Sequence, residues 1–300
     1  MQEQRPSTTA LVTARMRWLH TAKDPEPLLD DLWGEKFSPA QELADMVFAG
    51  SPALPQDAIS TDSIDEFLRL SPAYANVIVR SWYTENALHN ALAAGIGQYV
   101  LIGAGFDSYA FRKPEQATNL QIYEIDHPAT QGLKIERLAE HGLSADDRLH
   151  FISADLSQES LESALVKSEF VADEPAFLSW LGVTMYLSRQ ANMSTLESVA
   201  RCCAPGSQLV FSYVDQVIFD DMPAEHEDDI LQLQQTVQSV GEPFVSGFHP
   251  DKLEAQLRDI GLELEEDLDD LEIIERCDPT NRNELRSSSI SRIARVRVMG

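Results

Sequence analysis

The sequence predicts an α/β protein with a doubly wound, mostly parallel sheet. From Tyr99 onwards, apolar strand-like runs alternate with helical segments, a glycine turn follows the first run, and an acid ends the second. Such alternation implies parallel strands joined by right-handed crossovers. A sheet of this kind binds ligands in the crevice at the carboxyl ends of its strands.

The individual elements follow from the hydrophobic pattern and its interruptions. Five strands are expected near 99–102, 120–125, 148–153, 176–181 and 207–213, with helices near 107–113, 129–141, 157–168 and 188–203. A further helix begins at His249 and stops at Gly261. Two final strands are expected at 262–268 and 290–298.

The first hundred residues contain mostly patterns that are typical of helix starts and ends, and a loop is expected over 50–62. A helix over 75–94 places its apolar residues on roughly one face and leads into the first strand. We therefore expect a helical cap over 1–75, a main domain over 76–300, and a helical lid inserted in the polar stretch 215–247.

The glycine turn has the features of a nucleoside site. Gly103 and Gly105 let the backbone turn sharply and approach a ligand. Asp126 ends the next strand, where an acid can accept both hydroxyls of a ribose, and Glu124 is expected to face the opposite side of the sheet. The alternative is a tight turn with a helix cap.

The turn departs from the dinucleotide fingerprint. Ser108 stands near the position of a third glycine, and Asp107 lies inside the loop. Asp107 would repel a pyrophosphate but not a cofactor with an ammonium and a sulfonium. The turn therefore favours S-adenosylmethionine (SAM) over NAD(P).

The run Gln98-Tyr-Val-Leu-Ile-Gly-Ala-Gly-Phe-Asp-Ser-Tyr-Ala-Phe-Arg112 resembles the signature of the leucine carboxyl methyltransferase-like family of SAM-dependent O-methyltransferases, in particular its bacterial secondary-metabolism branch. Other segments agree in order: Thr9-Ala-Leu-Val-Thr-Ala-Arg15, Leu28-Leu-Asp-Asp31, Tyr123-Glu-Ile-Asp-His-Pro128, Ala154-Asp-Leu156, Ser179-Trp-Leu-Gly-Val-Thr-Met-Tyr-Leu187, Gly241-Glu-Pro-Phe244 and Gly247-Phe-His-Pro250. The resemblance implies a class I SAM-methyltransferase (Rossmann-like) sheet of seven strands, with helices on both faces and the final strand pair antiparallel.

The resemblance also implies a set of cofactor contacts. The glycine turn would approach the methionine part of SAM, and the residues after the second, third and fourth strands would contact ribose, adenine and the methionine side. Many relatives carry a glutamate in the last of these segments, and this chain lacks it. The candidate residues are Gly103, Ala104, Gly105, Asp107, Asp126, His127, Ala154, Asp155, Leu156, Trp180 and Leu181.

Arg80 lies among apolar residues in the helix before the first strand. A buried guanidinium requires a partner, and a carboxylate can pair with it through two hydrogen bonds. By resemblance that partner is the carboxylate of SAM. The alternatives are a surface position or an internal salt bridge. Asp107 and Asp155 have a comparable alternative, since either could simply cap a helix.

The acceptor is expected to be a small molecule, with a carboxylic acid favoured. A carboxylate needs no general base, and the seven histidines form no recognisable acid/base pair. The products would be a methyl ester and S-adenosylhomocysteine (SAH). Tyr186 and His249 are candidates for the acceptor pocket, and Arg15 or Arg17 could bring a positive charge to it. Alternatives are a hydroxyl on an aromatic polyketide-like scaffold, a non-catalytic module that binds SAM or SAH, and, more remotely, an NAD-dependent oxidoreductase.

Composition narrows the partners. A net charge of −26 over 300 residues opposes binding to nucleic acid or to an anionic membrane. The acidic runs 225–229 and 263–275 are expected to be solvated faces. Cys202, Cys203 and Cys277 lack metal-ligand spacing, so no metal site is expected. The N-terminal residues lack the apolar core of a signal peptide, and the interpretation is a cytoplasmic protein.

Overall fold

The computed structural model describes residues 6–47, 61–112, 117, 119–220, 231, 234, 238, 241–287 and 290–300. The loop expected over 50–62 and the middle of the lid expected over 215–247 lie almost wholly outside these residues. The predicted boundary between a cap and a main domain at residue 75 remains a prediction.

Within the described residues, five helices precede the sheet. They are α1 (Thr8–Lys23), α2 (Gly34–Phe37), α3 (Ala40–Val47), α4 (Thr61–Leu70) and α5 (Ala73–Ala93). The Ser7 side chain accepts a hydrogen bond from the Ala10 amide and so caps α1. Gly95, with φ of +97°, ends α5 in a conformation that favours glycine.

The seven strands form one sheet. They are β1 (Gln98–Ile102), β2 (Gln121–Asp126), β3 (Leu149–Ser153), β4 (Ala176–Trp180), β5 (Gln208–Val214), β6 (Leu262–Asp269) and β7 (Ser291–Val298). Their order is β3-β2-β1-β4-β5-β7-β6, with β7 antiparallel to both neighbours and the other pairs parallel. The predicted seven-stranded, mostly parallel sheet is confirmed.

Seven of the described helices follow β1 in the chain, and most of them are short. They are α6 (Tyr109–Arg112), α7 (Pro128–Glu140), α8 (Leu161–Val166), α9 (Arg189–Cys202), α10 (Val217–Asp220), α11 (Pro250–Asp259) and α12 (Asp270–Cys277), with a 3₁₀ turn at Thr184–Tyr186. The predicted helices and strands before residue 214 appear within a few residues of their expected bounds.

Each face of the sheet carries its own hydrophobic core. Tyr99 and Leu101 of β1 face the core shared with α1 to α5, whereas Val100 and Ile102 face the core shared with α8, α9 and α11. This alternation is the two-residue period of a strand buried on both sides. The N-terminal helices therefore share a core with the sheet.

The prediction of a solvated face over the acidic run 263–275 was wrong for Asp270. This side chain, at the start of the unpredicted helix α12, is only 1% exposed. The strand acids also pair across the sheet, with Glu265 3.2 Å from Arg295 and Asp267 3.1 Å from Arg292. Opposite charges on the adjacent strands β6 and β7 therefore neutralise part of this acidic face.

The expectation that Glu124 faces away from Asp126 was also wrong. Residues two apart on a strand share a face, so Glu124 lies on the same side as Asp126. There it forms a buried ion pair with Lys134 of α7, with both side chains 1% exposed.

In the described part of the chain, every helix is too short or too polar to span a membrane. No group of three or more His, Cys, Asp or Glu side chains in this part of the chain is arranged to hold a metal ion.

Candidate cofactor and acceptor site

A cavity of about 400 Å³ lies at the carboxyl ends of β1, β2 and β4. It sits at the switch point of the sheet, where the connection from β1 leads to β2 on one side and the connection from β3 leads back to β4 on the other side of β1. Open α/β sheets bind ligands at this position. Its size is within the range of small-molecule sites. Its walls come from the segments after β1 to β4, from α1 and α5, and from residues 241–243 and 245 near the end of the predicted lid.

The glycine turn after β1 is closely packed on both sides. Gly103 and Gly105 have φ values of +69° and +52°. A Cβ built on Gly103 would lie 2.5 Å from Cγ2 of Val183, and one on Gly105 would lie 3.2 Å from Cβ of Ala10. Side chains at these positions would be strained and crowded, so the sequence needs glycine here.

Asp126 joins the end of β2 to this turn. Its Oδ2 accepts from the Gly105 amide, and its Oδ1 accepts from the His127 amide at 2.6 Å. Burial raises the pKa of Asp126, although the two backbone donors oppose that rise. Each carboxylate oxygen can accept more than one hydrogen bond, so Asp126 can hold the turn and still accept from ligand hydroxyls.

The segment after β3 reaches the cavity next to Asp126. The Ala154 amide donates to the Asp126 carbonyl at 2.9 Å, and Ala154, Asp155 and Leu156 all line the wall. Oδ1 of Asp155 accepts from the amide and hydroxyl of Ser157, at 2.9 and 2.6 Å. Burial would raise the pKa of Asp155, but the bonds from Ser157 outweigh it and the pKa lies below its usual value. Asp155 thus orders the local turn and also faces the cavity.

Asp107 both caps a helix and lines the cavity. Its Oδ1 accepts from the Tyr109 amide at 2.8 Å, as in a helix cap, and the residue lines the cavity. His127 lines the cavity too, and its Nδ1 accepts from the Ala129 amide at 3.2 Å at the start of α7. The two sequence interpretations of Asp107 therefore do not exclude one another.

Arg80 of α5 brings a positive charge to the opposite wall. Its Nη1 donates to Oδ1 of Asn76 at 2.9 Å, and among the described residues no carboxylate lies within 4.0 Å of its guanidinium. Burial lowers the pKa of Arg80 to about 10, with Tyr186 and Asp270 opposing the shift. Arg80 is therefore charged at neutral pH and is not part of an internal salt bridge in the described structure.

The N-terminus of α1 covers the cavity. The Ser7 amide donates to Oγ1 of Thr130 at 3.1 Å, and the Ser7 hydroxyl donates to Oε2 of Glu242 at 3.2 Å. These bonds tie the start of the chain to α7 and to the segment that follows residue 240. Ser7, Thr130 and Glu242 all line the cavity, so α1 is one of its walls.

The two arginines expected to bring a positive charge to the acceptor pocket differ in position. Arg15 binds both carboxylate oxygens of Asp65 at 2.8 Å and is not among the residues that line the cavity. Arg17 lines the cavity, but its charge is paired with Asp31 at 2.8 Å. Burial would raise the pKa of Asp31, yet the charges of Arg17 and Arg112 hold it below its usual value. Neither arginine presents an unpaired charge to an acceptor.

Tyr186, a candidate for the acceptor pocket, lines the cavity. Burial raises the pKa of Tyr186 to about 12, the charge of Glu242 adds to the rise, and Thr9 and Arg80 oppose it. The phenol is therefore neutral at physiological pH and can donate a hydrogen bond. Ser179 and Leu181 also line this side of the cavity.

Two predicted site residues lie elsewhere. Trp180 is fully buried and packs beside Phe211, with ring centroids 6.4 Å apart, in the core on the other face of the sheet. It alternates with Ser179 and Leu181, so it cannot share their face. His249 precedes α11 and lies 3.5 Å from Asp220, outside the cavity lining.

Glu242, Ser7 and Thr9 are cavity residues that were not predicted. Glu242 belongs to a segment used for the family resemblance, Gly241-Glu-Pro-Phe244, and that was the available signal. Asn76 and Asp270, which lie behind Arg80, left none, because a helical asparagine and one acid in an acidic run are unremarkable in a sequence.

Comparison with known proteins identifies the family. Residues 10–200 match the family model described as leucine carboxyl methyltransferase. A candidate SAM-dependent methyltransferase of Bacillus subtilis, YktD, is 30% identical over 279 residues, which are 89% of this chain and 90% of the relative. A similarly named protein of Mycobacteroides abscessus is 33% identical over 67% of this chain and 64% of its own length.

Solved structures agree on the fold. A DUF574 family protein from Streptomyces avermitilis superposes with a TM-score of 0.59 at 15% identity, covering 86% of this chain and 95% of the other. A methyltransferase candidate from Thermobifida fusca gives 0.58 at 16% identity, covering 86% and 93%. The sheet order, the glycine turn and the matched residues lead to one conclusion: this chain belongs to the leucine carboxyl methyltransferase family.

Proposed function

We propose that this protein is a SAM-dependent O-methyltransferase that acts on a small metabolite, with a carboxylate as the methyl acceptor. The observation that carries the proposal is the charged Arg80 at the cavity wall, with no carboxylate within 4.0 Å among the described residues. It faces the same cavity as Asp126 and the glycine turn. An amino-acid carboxylate at one end and a ribose at the other would complement these groups.

The remaining groups fit the same ligand. Asp107, in the glycine turn, would receive the ammonium of SAM, and Asp126 would accept hydrogen bonds from the ribose hydroxyls. Asp155 and Leu156 would border the adenine. A pyrophosphate at the glycine turn would meet the charge of Asp107, which disfavours NAD. When bound, SAM supplies an electrophilic methyl group on a sulfonium.

The protein's contribution is alignment and exclusion of water. The hydrogen bonds of Ser7 close α1 over the cavity, and Leu181, Val183 and Leu187 give it apolar wall. Holding two reactants in line in a dry site provides much of the rate enhancement for a displacement. A carboxylate acceptor is already ionised, and the histidine that lines the cavity, His127, is engaged at the start of α7.

A hydroxyl acceptor is the second candidate, and Glu242 favours it. This carboxylate lines the cavity near Tyr186 and could take a proton from a bound phenol or alcohol. It would also repel an acceptor carboxylate. The two candidates therefore predict opposite effects of the charge on Glu242.

The test begins with titration of the purified protein with SAM and SAH, with NAD as control. Binding of the sulfur ligands alone supports the proposal, and no binding of either contradicts it. Incubation with methyl-labelled SAM and panels of carboxylic acids and phenols then identifies the acceptor. A product labile to mild base indicates an ester, whereas SAH binding without any turnover would point to a non-catalytic module.

Glu242→Gln separates the two acceptor classes. If a carboxylate is the acceptor, removal of the charge should leave kcat unchanged or lower the acceptor KM. If Glu242 is the base for a hydroxyl, kcat should fall by roughly a hundredfold or more. Glu284→Gln, an exposed position outside the cavity lining, is the matched control.

A further inference from the structure

A chain of buried polar groups runs from Arg80 away from the cavity. Nη1 of Arg80 donates to Oδ1 of Asn76 at 2.9 Å, and Nδ2 of Asn76 donates to Oδ1 of Asp270 at 3.1 Å. The Ser287 hydroxyl completes the chain by donating to Oδ2 of Asp270 at 2.8 Å. Asn76 and Asp270 are 8% and 1% exposed, so this chain is inside the protein.

Both ends of the Asn76 amide are used, which fixes its orientation. The oxygen must accept from Arg80, because a guanidinium only donates, and the NH₂ group must donate to Asp270. Asn76 and Arg80 are one helical turn apart on α5, and Asp270 is the first residue of α12, which packs against α5. The relation between the three side chains is therefore set by two packed helices.

Asn76 keeps the two charges apart. A carboxylate in direct contact with Arg80 would occupy the donors that a ligand carboxylate needs, and an internal ion pair would compete with the ligand. Asp270 instead provides a negative charge within electrostatic reach of Arg80, beyond ion-pair distance. A buried guanidinium with no nearby negative charge would be costly in the free protein.

We infer that Asn76 is a positioning residue for the carboxylate end of the cofactor: it holds Arg80 towards Gly182 and, as a neutral spacer before Asp270, leaves the guanidinium available to the ligand. This inference rests on the proposed function. It assigns a binding role to a residue that does not itself line the cavity.

The decisive variant exchanges the two side chains, Asn76→Asp with Asp270→Asn. The exchange keeps the composition, the net charge and the two hydrogen-bonding groups. It moves the carboxylate from position 270, two hydrogen bonds away from Arg80, to position 76, in direct contact with Arg80. The single variant Asn76→Leu, which removes the spacer without adding a charge, is a second test if the exchange does not fold. A thermal unfolding curve shows whether each variant is folded.

The probes are SAH and 5′-methylthioadenosine, which has the nucleoside and sulfur but lacks the amino-acid end. In the exchanged protein we expect SAH affinity to fall by roughly tenfold or more, since the internal ion pair must be broken. Methylthioadenosine affinity should change less than twofold. Asn76→Leu should also weaken SAH selectively, by a smaller factor.

Each other result has a defined meaning. Equal losses for the two probes, or no loss for SAH in a folded variant, would overturn the role of Asn76. Failure of the unaltered protein to bind SAH would instead contradict the proposed function. The wild-type titration therefore distinguishes the two failures.

Discussion

Nη2 of Arg80 lies against the backbone of Gly182, so closely that a Cβ built on Gly182 would be 2.7 Å away from it. Gly182 also has a φ of +68°, and its amide donates to the Ser212 hydroxyl at 2.8 Å. The segment after β4 thus fixes one side of the guanidinium, and α5 fixes the other through Asn76. The position of the Arg80 charge therefore depends on a glycine that has no side chain of its own.

Gly182→Ala should displace Arg80 and weaken SAH binding by roughly tenfold, about the contribution of one charged hydrogen bond. Titration calorimetry measures the effect. Gly95→Ala is the matched control, because Gly95 has a similar positive φ of +97° but nothing within 4 Å of its added Cβ. Gly95→Ala should lower stability only, and an equal loss of SAH affinity in both variants would refute the steric explanation.

Asp126→Asn should destabilise the protein as well as its ribose site. The carboxylate accepts from two backbone amides with two oxygens, and an asparagine has only one oxygen and turns an NH₂ group towards the other donor. An unsatisfied buried donor costs about 1–3 kcal/mol. Urea unfolding checks the loss, with the exposed Asp259→Asn as control. Equal stability of the two variants would contradict this account of the turn.

Asp270 should give the stability a defined pH dependence. Burial raises the pKa of Asp270 to about 6, above the usual value of 3.8, so between about pH 4 and pH 6 the folded protein holds a proton here that the unfolded chain releases. The stabilisation of the folded protein by the protonated Asp270 carboxyl is complete below about pH 4 and is lost as the pH rises through about 6. The change can reach roughly 3 kcal/mol.

Unfolding free energies measured from pH 4 to pH 7 test this directly. Asp270→Asn should flatten the curve relative to wild type over that interval, whereas Asp259→Asn should keep the wild-type slope. Parallel curves for wild type and Asp270→Asn would mean that the buried carboxyl does not titrate as described.

Ser7→Ala should loosen the attachment of α1 to the other walls of the cavity. The change removes the helix cap to Ala10 and the hydrogen bond to Glu242, so we expect faster SAH dissociation, by roughly threefold. Ser160→Ala removes an equivalent cap, from the Ser163 amide at 3.1 Å, on α8 away from the cavity lining. Stopped-flow dissociation should separate the variants, and unchanged dissociation in Ser7→Ala would exclude this latch.

The strands of the sheet were predictable because their signals are local. Continuous apolar runs ended by Gly103, Gly182 or Asp126 mark buried parallel strands and their ligand-side ends, and parity along each strand assigns the faces. The same parity places Trp180 in the opposite core and Glu124 beside Asp126. Both placements follow from the alternation of side chains along a strand and can be obtained from the sequence.

The features that were missed depend on contacts between distant segments. Asp270 looks like one more acid in an acidic run, and only the packing of α12 on α5 buries it against Asn76. Arg15 looked available until Asp65 of α4 was placed beside it. Such pairings come from tertiary packing, for which a single sequence has no periodic or spacing signal.

The central claim is that Arg80 binds the carboxylate of the cofactor, and one titration series tests it most directly. SAH and 5′-methylthioadenosine are titrated into the wild type, into Arg80→Lys, and into Arg258→Lys, which alters an exposed arginine paired with Glu254. Lysine cannot reproduce the planar fork, so the account predicts a loss of roughly tenfold for SAH in Arg80→Lys and unchanged methylthioadenosine binding. Equal SAH affinity in all three proteins would contradict it.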